Sequence, residues 1–178
     1  MLKGVIFDLD GVIVSTDNYH YLAWKRMADE EGIYFDRKIN DRLRGVSRME
    51  SLEILLERTK KNYTQTQKED MAERKNLYYK KLIKNLTPKD ILKGAKEFAQ
   101  KLKDLKIKIA VGSSSKNCKN IITFIGLDGF FDAVADGTMI HNSKPDPEVF
   151  LLAAKLINVE PQHCLVIEDA NKKTSGSG

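Results

Sequence analysis

Four short apolar runs dominate what this chain can fold into. Gly4-Val5-Ile6-Phe7 is cut off by Asp8, and Ile107-Lys108-Ile109-Ala110-Val111, Phe131-Asp132-Ala133-Val134-Ala135 and Cys164-Leu165-Val166-Ile167 repeat the pattern. Runs of this length, rich in β-branched residues, read as strands buried on both faces of a sheet. Between them the apolar spacing becomes helical, over Ala95 to Leu105, Asn117 to Phe124 and Pro147 to Ile157. Strand and helix in alternation mean a parallel sheet with helices on both faces.

Residues 15–87 break that rhythm, because they are almost entirely helical in period. Asp17 to Glu31 places Tyr21, Leu22, Trp24, Met27 and Ala28 on one side, and Gly32 stops it. Ser47 to Arg58 opens on a capping serine with Glu50 three residues later, and Thr66 to Lys84 forms a third segment. Thr87-Pro88 marks the return to the sheet. The expected fold is thus α/β: a Rossmann-like parallel-sheet core from residues 1–14 and 88–169, helices on both faces, and an all-helical cap inserted over 15–87. Residues 170–178 read as a linker-like tail.

The polar residues that follow the apolar runs carry the chemistry. In open parallel sheets, ligands bind at the carboxyl ends of the strands. Asp8 and Asp10 stand at the first such end, and extended backbone through Leu9 would turn both carboxylates to one side, although Asp10-Gly11 is also a common turn pair. Gly112-Ser113-Ser114-Ser115-Lys116-Asn117 ends the second strand with hydroxyls and backbone N–H groups suited to a phosphate, with Ser115 a candidate helix cap. After the third strand, Lys144 precedes Pro145, which biases it toward an extended conformation from which it could reach that phosphate. Glu168-Asp169 ends the fourth. So many carboxylates in one crevice call for a cation among them, and hard oxygen ligands beside a phosphate favour Mg²⁺.

Composition narrows the class. With 42% hydrophobic and 31% charged residues in a chain of 178, an ordinary globular fold is expected. The net charge of +5 is spread over lysines mixed with Glu and Asp, without a basic stripe interleaved with aromatics, which argues against a nucleic-acid partner. No apolar run is long enough to cross a bilayer and no signal-peptide pattern is present, so no membrane partner and a cytoplasmic setting are expected. Cys118 and Cys164 lack metal-ligand spacing and read as ordinary thiols.

Taken in order, Asp8-Leu9-Asp10-Gly11, Ser113, Lys144-Pro145 and Glu168-Asp169 resemble the four motifs of the haloacid dehalogenase superfamily. The likeness narrows to the β-phosphoglucomutase family through Gly11-Val12-Ile13, Thr16, Tyr19-His20, Ala23-Trp24, Arg44-Gly45-Val46-Ser47-Arg48, Arg74-Lys75-Asn76 and Ser115-Lys116-Asn117. This resemblance implies that Asp8 is a nucleophile forming an aspartyl phosphate and Asp10 the general acid and base. It implies a Mg²⁺ held by the Asp8 carboxylate, the Asp10 carbonyl and Asp169, with Glu168 adjacent. Ser113 and Lys144 would hold the phosphoryl oxygens, with Ser114 and Asn117 beside them. Arg48 would grip a second phosphate, His20 and Lys75 would contact substrate or position Asp10, and Thr16 and Arg44 complete the substrate side. Trp24 reads as core between cap and sheet, or as an aromatic face for a sugar.

The implied reaction interconverts β-glucose 1-phosphate and glucose 6-phosphate through a bisphosphate. Hydrolysis of a small phosphorylated sugar or acid is the second reading, and an inactive fragment the third. Arg44 departs from the family's usual lysine, and Val14-Ser15 from a more polar hinge pair. Members of the family continue past the acidic pair with a helix, a strand and a helix, whereas here Ala170-Asn171-Lys172-Lys173-Thr174-Ser175-Gly176-Ser177-Gly178 follows. A truncated chain with a bare edge strand is therefore expected. Such an edge could pair with a second copy, although the full-length family is monomeric.

Overall fold

The computed structural model describes residues 1–44 and 46–169. Gly45, part of the family likeness, and the expected tail at 170–178 lie outside the described residues. The elements run β1 (Gly4–Phe7), α1 (Asp17–Glu31), α2 (Arg37–Arg42), α3 (Arg48–Leu56), α4 (Gln65–Ile83), α5 (Ala95–Asp104), β2 (Lys108–Gly112), α6 (Cys118–Phe124), β3 (Ala133–Ala135), α7 (Glu148–Leu156) and β4 (Cys164–Ile167). They fall into two compact units, residues 1–15 with 86–169, and residues 16–85.

In the first unit four parallel strands lie in the order β3-β2-β1-β4. The chain steps from β1 outward to β2 and β3 on one side, then returns to place β4 on the other. Strand order therefore reverses at β1, which makes the crevice beyond β1 and β4 the switch point where such sheets take ligands. Register aligns Phe7 with Val111 and with Ile167, so the residues after β1 and β4 emerge side by side. One sheet face packs Ile6, Ala110 and Ala135 against Val149, Ala153, Ala154 and Ile157 of and beside α7. On the other, the Phe7 ring meets Phe98 of α5 and Phe131 edge-on, each with centroids 6.1 Å apart.

The second unit is all helical. Trp24, Met27 and Ala28 of α1, Ile39 of α2, Leu52 and Leu55 of α3, and Met71 and Ala72 of α4 form its core. Trp24 is thus part of the core of this unit. Three of its four helices have a clear boundary signal. Gly32 ends α1 with φ +68°, and capping boxes open α3 (Ser47 with Glu50) and α4 (Thr64 with Gln67). The α2 helix was not expected. Asp36 starts it by accepting from Ile39 N at 2.9 Å, but six residues with one buried hydrophobic side chain make too short a pattern to read.

Two expectations change. The run at β4 reads as a strand buried on both faces, yet Leu165 and Val166 are 49% and 39% exposed, because among the described residues β4 pairs with β1 alone. Ser115 does not cap α6. Its hydroxyl accepts from Asn117 N two residues on, at 3.2 Å, and the helix begins at Cys118. No helix among the described residues is long and apolar enough to cross a membrane.

Gly112 closes β2 just before Ser113, and a Cβ there would stand 2.9 Å from the Phe150 ring and 3.1 Å from Ile6 Cγ2. Gly112→Ala should therefore destabilise the protein by about 1–3 kcal/mol through overpacking. Urea denaturation should show a lower midpoint with an unchanged slope.

Candidate active site

Asp8 follows β1 directly, and its N–H donates to Ile167 O at 2.8 Å, which ties it to the end of β4. Its two carboxylate oxygens are divided between partners. Oδ1 accepts from Leu9 N at 2.7 Å, and Oδ2 lies 2.9 Å from Lys144 Nζ. The same ammonium is 3.5 Å from Glu168 Oε1, so one cation stands between the carboxylates that the sheet register brings together. Lys144 is held from two sides. Its N–H donates to Ser114 Oγ at 3.1 Å, and its ammonium lies 4.4 Å from the centre of the Phe150 ring. The bond joining it to Pro145 is cis.

Burial pushes the Asp8 carboxyl above its ordinary range, although Lys144 and the Leu9 N–H pull it down. A carboxylate with these neighbours stays a poor match for its surroundings until more positive charge arrives. Leu9, the next residue, is buried, and Asp10, two residues on, only partly so, which is the alternation expected of an extended continuation. Backbone bonds from Ile13 and Val14 to Leu9 O, and from Gly11 to Val14 O, fold the segment into a compact turn. Gly11 has φ +82°, and a Cβ on it would collide with the Asp169 carboxylate. That carboxylate therefore packs against the backbone one residue from Asp10, and a side chain at position 11 would displace it.

The serine loop is ordered by its own hydroxyls. Ser113 is buried, donates from N to Ala135 O at 3.0 Å, and accepts at Oγ from Ser115 N at 3.2 Å. Asn117 is buried beside it. Cys118 also contacts Ser113, but burial pushes its thiol up to about 12, which makes it inert as a nucleophile.

A divalent metal is implied by the relatives described below, so the donors have to suit one. Among the described residues no group of three or more His, Cys, Asp or Glu side chains is gathered for a metal. The donors proposed from the sequence are two carboxylates, Asp8 and Asp169, and one backbone carbonyl. This is a hard, all-oxygen set with few protein ligands, which fits a cation that keeps several waters. Glu168, adjacent in sequence to Asp169, lies 3.5 Å from Lys144.

The remaining candidates lie in the helical unit. Lys75 is only 4% exposed, and its Nζ is 2.9 Å from His20 Nδ1. It also lies 4.9 Å from the ring centres of Trp24 and Tyr79. Burial, with Arg48 nearby, pushes Lys75 down to about 7 and His20 well below its ordinary range. Thr16, also buried, accepts from the Tyr79 hydroxyl at 3.1 Å. Arg48 meets Glu73 at 3.5 Å. Arg44 is not gathered with this group. Its guanidinium grips both oxygens of Asp17, at 2.9 and 3.0 Å, and lies 3.2 Å from Asp41.

Sequence reasoning missed Tyr79 and Phe150. Tyr79 follows Lys75 by four residues on α4, and so shares its face of the helix. That spacing was the available signal.

Comparison with known proteins follows the same lines. The sequence pattern of haloacid dehalogenase-like hydrolases matches residues 2–172. The chain is 45% identical to the β-phosphoglucomutase of Bacillus subtilis over 171 residues, covering 95% of this chain and 76% of that one. It is 30% identical to the phosphorylated carbohydrates phosphatase of Thermotoga maritima, covering 95% and 77%. The crystal structure of β-phosphoglucomutase from Clostridium difficile superposes with a TM-score of 0.86 at 46% identity, covering 96% and 77%.

The buried lysine has a measurable cost. A lysine at about 7 in the folded protein but near its ordinary value when unfolded makes the unfolded chain the better proton acceptor between those limits. Stability therefore rises with pH across that window, and the cost is complete below it. Lys75→Met should raise the melting temperature at pH 7, by the equivalent of a few kcal/mol, and the gain should shrink toward pH 10. Thermal denaturation at the two pH values checks this.

Proposed function

The chain belongs to the haloacid dehalogenase-like hydrolases, and from that premise we propose that it is a Mg²⁺-dependent β-phosphoglucomutase. It would interconvert β-glucose 1-phosphate and glucose 6-phosphate through a bisphosphate. The observation that carries this reading is the placement of Asp8 at the switch point, with one oxygen on Leu9 N–H and the other on Lys144. A carboxylate fixed at both oxygens has its attacking direction set before substrate arrives.

In this reading an Asp8 oxygen forms a bond to phosphorus as the bond from phosphorus to the donor oxygen breaks. Asp10 protonates the departing oxygen, and later takes the proton from the acceptor hydroxyl. Lys144 would move its charge from the carboxylates toward the phosphoryl oxygens, where negative charge gathers. Ser113 and Ser114 would donate to the same group. Asp8, Asp169 and the Asp10 carbonyl would hold the cation. When bound, it would offset repulsion between the Asp8 carboxylate and the incoming dianion.

A mutase must grip a phosphate that is not reacting, as well as the one that is. Arg48 would serve this purpose with a planar two-pronged donor, giving up Glu73 to do so. Hydrolysis is the competing reading, supported by the 30% identity to a carbohydrate phosphatase. One incubation separates them: protein, Mg²⁺, β-glucose 1-phosphate and a trace of the glucose bisphosphate. Appearance of glucose 6-phosphate without matching free phosphate supports the mutase, whereas stoichiometric free phosphate supports the hydrolase.

Asp8→Asn should lower turnover by several powers of ten, each worth about 1.4 kcal/mol in the barrier. Full turnover in that variant would overturn the covalent route. Arg48→Ala should cut isomerisation at least about tenfold more than hydrolysis of a small phosphomonoester, as judged from kcat/KM for each.

A further inference from the structure

Tyr79 occupies a place where volume alone would not call for a tyrosine. It is 2% exposed, deep in the helical unit, where a buried hydroxyl without a partner would be costly. The partner is Thr16 Oγ1, at 3.1 Å. The ring of the same side chain stacks on the His20 imidazole, with centroids 4.1 Å apart and planes 22° from parallel. Its face also meets Lys75 Nζ at 4.9 Å. One residue thus touches three of the groups that the sequence assigns to the substrate side.

Two of those groups are bases placed head to head. Lys75 Nζ and His20 Nδ1 are 2.9 Å apart, a distance that requires one of them to accept. When Lys75 carries its full complement of protons, Nδ1 must be bare and the imidazole proton must sit on Nε2. The charged and titratable groups around the pair are Arg48 from α3, opposed by Glu73 of α4, and the Tyr79 phenol itself. Arg48 lowers the pKa of both groups, so a doubly protonated pair is disfavoured. The plane of the imidazole decides whether Nδ1 faces Lys75 at all, and the Tyr79 ring stacks against that plane.

We propose that Tyr79 is a positioning residue of this site, its ring holding His20 in the plane and tautomer that bind Lys75 and its hydroxyl holding Thr16. The consequence for turnover rests on the reading given under Proposed function, whereas the consequence for His20 itself does not. Burial lowers the pKa of both Lys75 and His20, in keeping with their close packing against this ring.

The test uses the full chain as wild type, Tyr79→Phe and Tyr79→Leu, with proton and nitrogen NMR of the imidazoles. Wild-type His20 should show a neutral ring with its proton on Nε2 at pH 6, and ring protons shifted upfield by the stack. Tyr79→Phe keeps the ring and should keep both signatures. Tyr79→Leu should lose the upfield shift, mix the tautomers and bring His20 back toward ordinary titration. In turnover, Tyr79→Leu should move the pH limb of kcat/KM by about one unit while Tyr79→Phe restores it, a pattern that a purely structural loss would not give.

A folded Tyr79→Leu with wild-type His20 signals would overturn the proposal. So would a wild-type His20 that titrates like an exposed histidine, a result that needs no variant and stands even if Tyr79→Leu fails to fold. Absence of turnover in the wild type would count against the mutase reading alone, and the NMR outcome would still decide the role of Tyr79.

Discussion

Two carboxylates at adjacent strand ends repel one another, and the first unit resolves this with a single ammonium. The parallel register of β1 and β4 makes Asp8 and Glu168 neighbours, so the closeness of their backbones is built into the sheet. Lys144 reaches both from a separate loop, steadied by Ser114 and the Phe150 ring. Three strand ends are thereby tied through one charge. In the proposed reaction a phosphoryl dianion would compete for that same charge, so that its binding would release Asp8 from the ion pair.

The helical unit presents the opposite problem. There the buried groups are bases, with Lys75 and His20 in direct contact and Arg48 nearby, and the arrangement is satisfied only by leaving a proton out.

Much of this was legible in the sequence because the signals were short-range. The apolar runs gave the strands, Gly32 the end of α1, and Ser47 with Glu50 the start of α3. What escaped depended on distance or on neighbours. The contact between Lys75 and His20 joins two helices across a long stretch of chain, and no local pattern announces it. Tyr79 was hidden because an aromatic at helical spacing reads as core, which it also is. The apolar run at β4 promised burial, but the identity of a strand does not say whether it will have a neighbour on each side. Ser115 chose a two-residue turn over a helix cap, a competition that spacing alone does not decide.

The exposure of Leu165 and Val166 bears on more than the edge itself. Opening of a protein is local before it is global, and segments with little buried apolar surface open at the smallest free energy. β4 is such a segment, and Glu168 and Asp169 leave its end. Each transient detachment of β4 would take those two carboxylates with it and strip Lys144 of one partner, leaving Asp8 paired on β1. Hydrogen-exchange protection along these four residues would therefore report how often Glu168 and Asp169 leave with the strand.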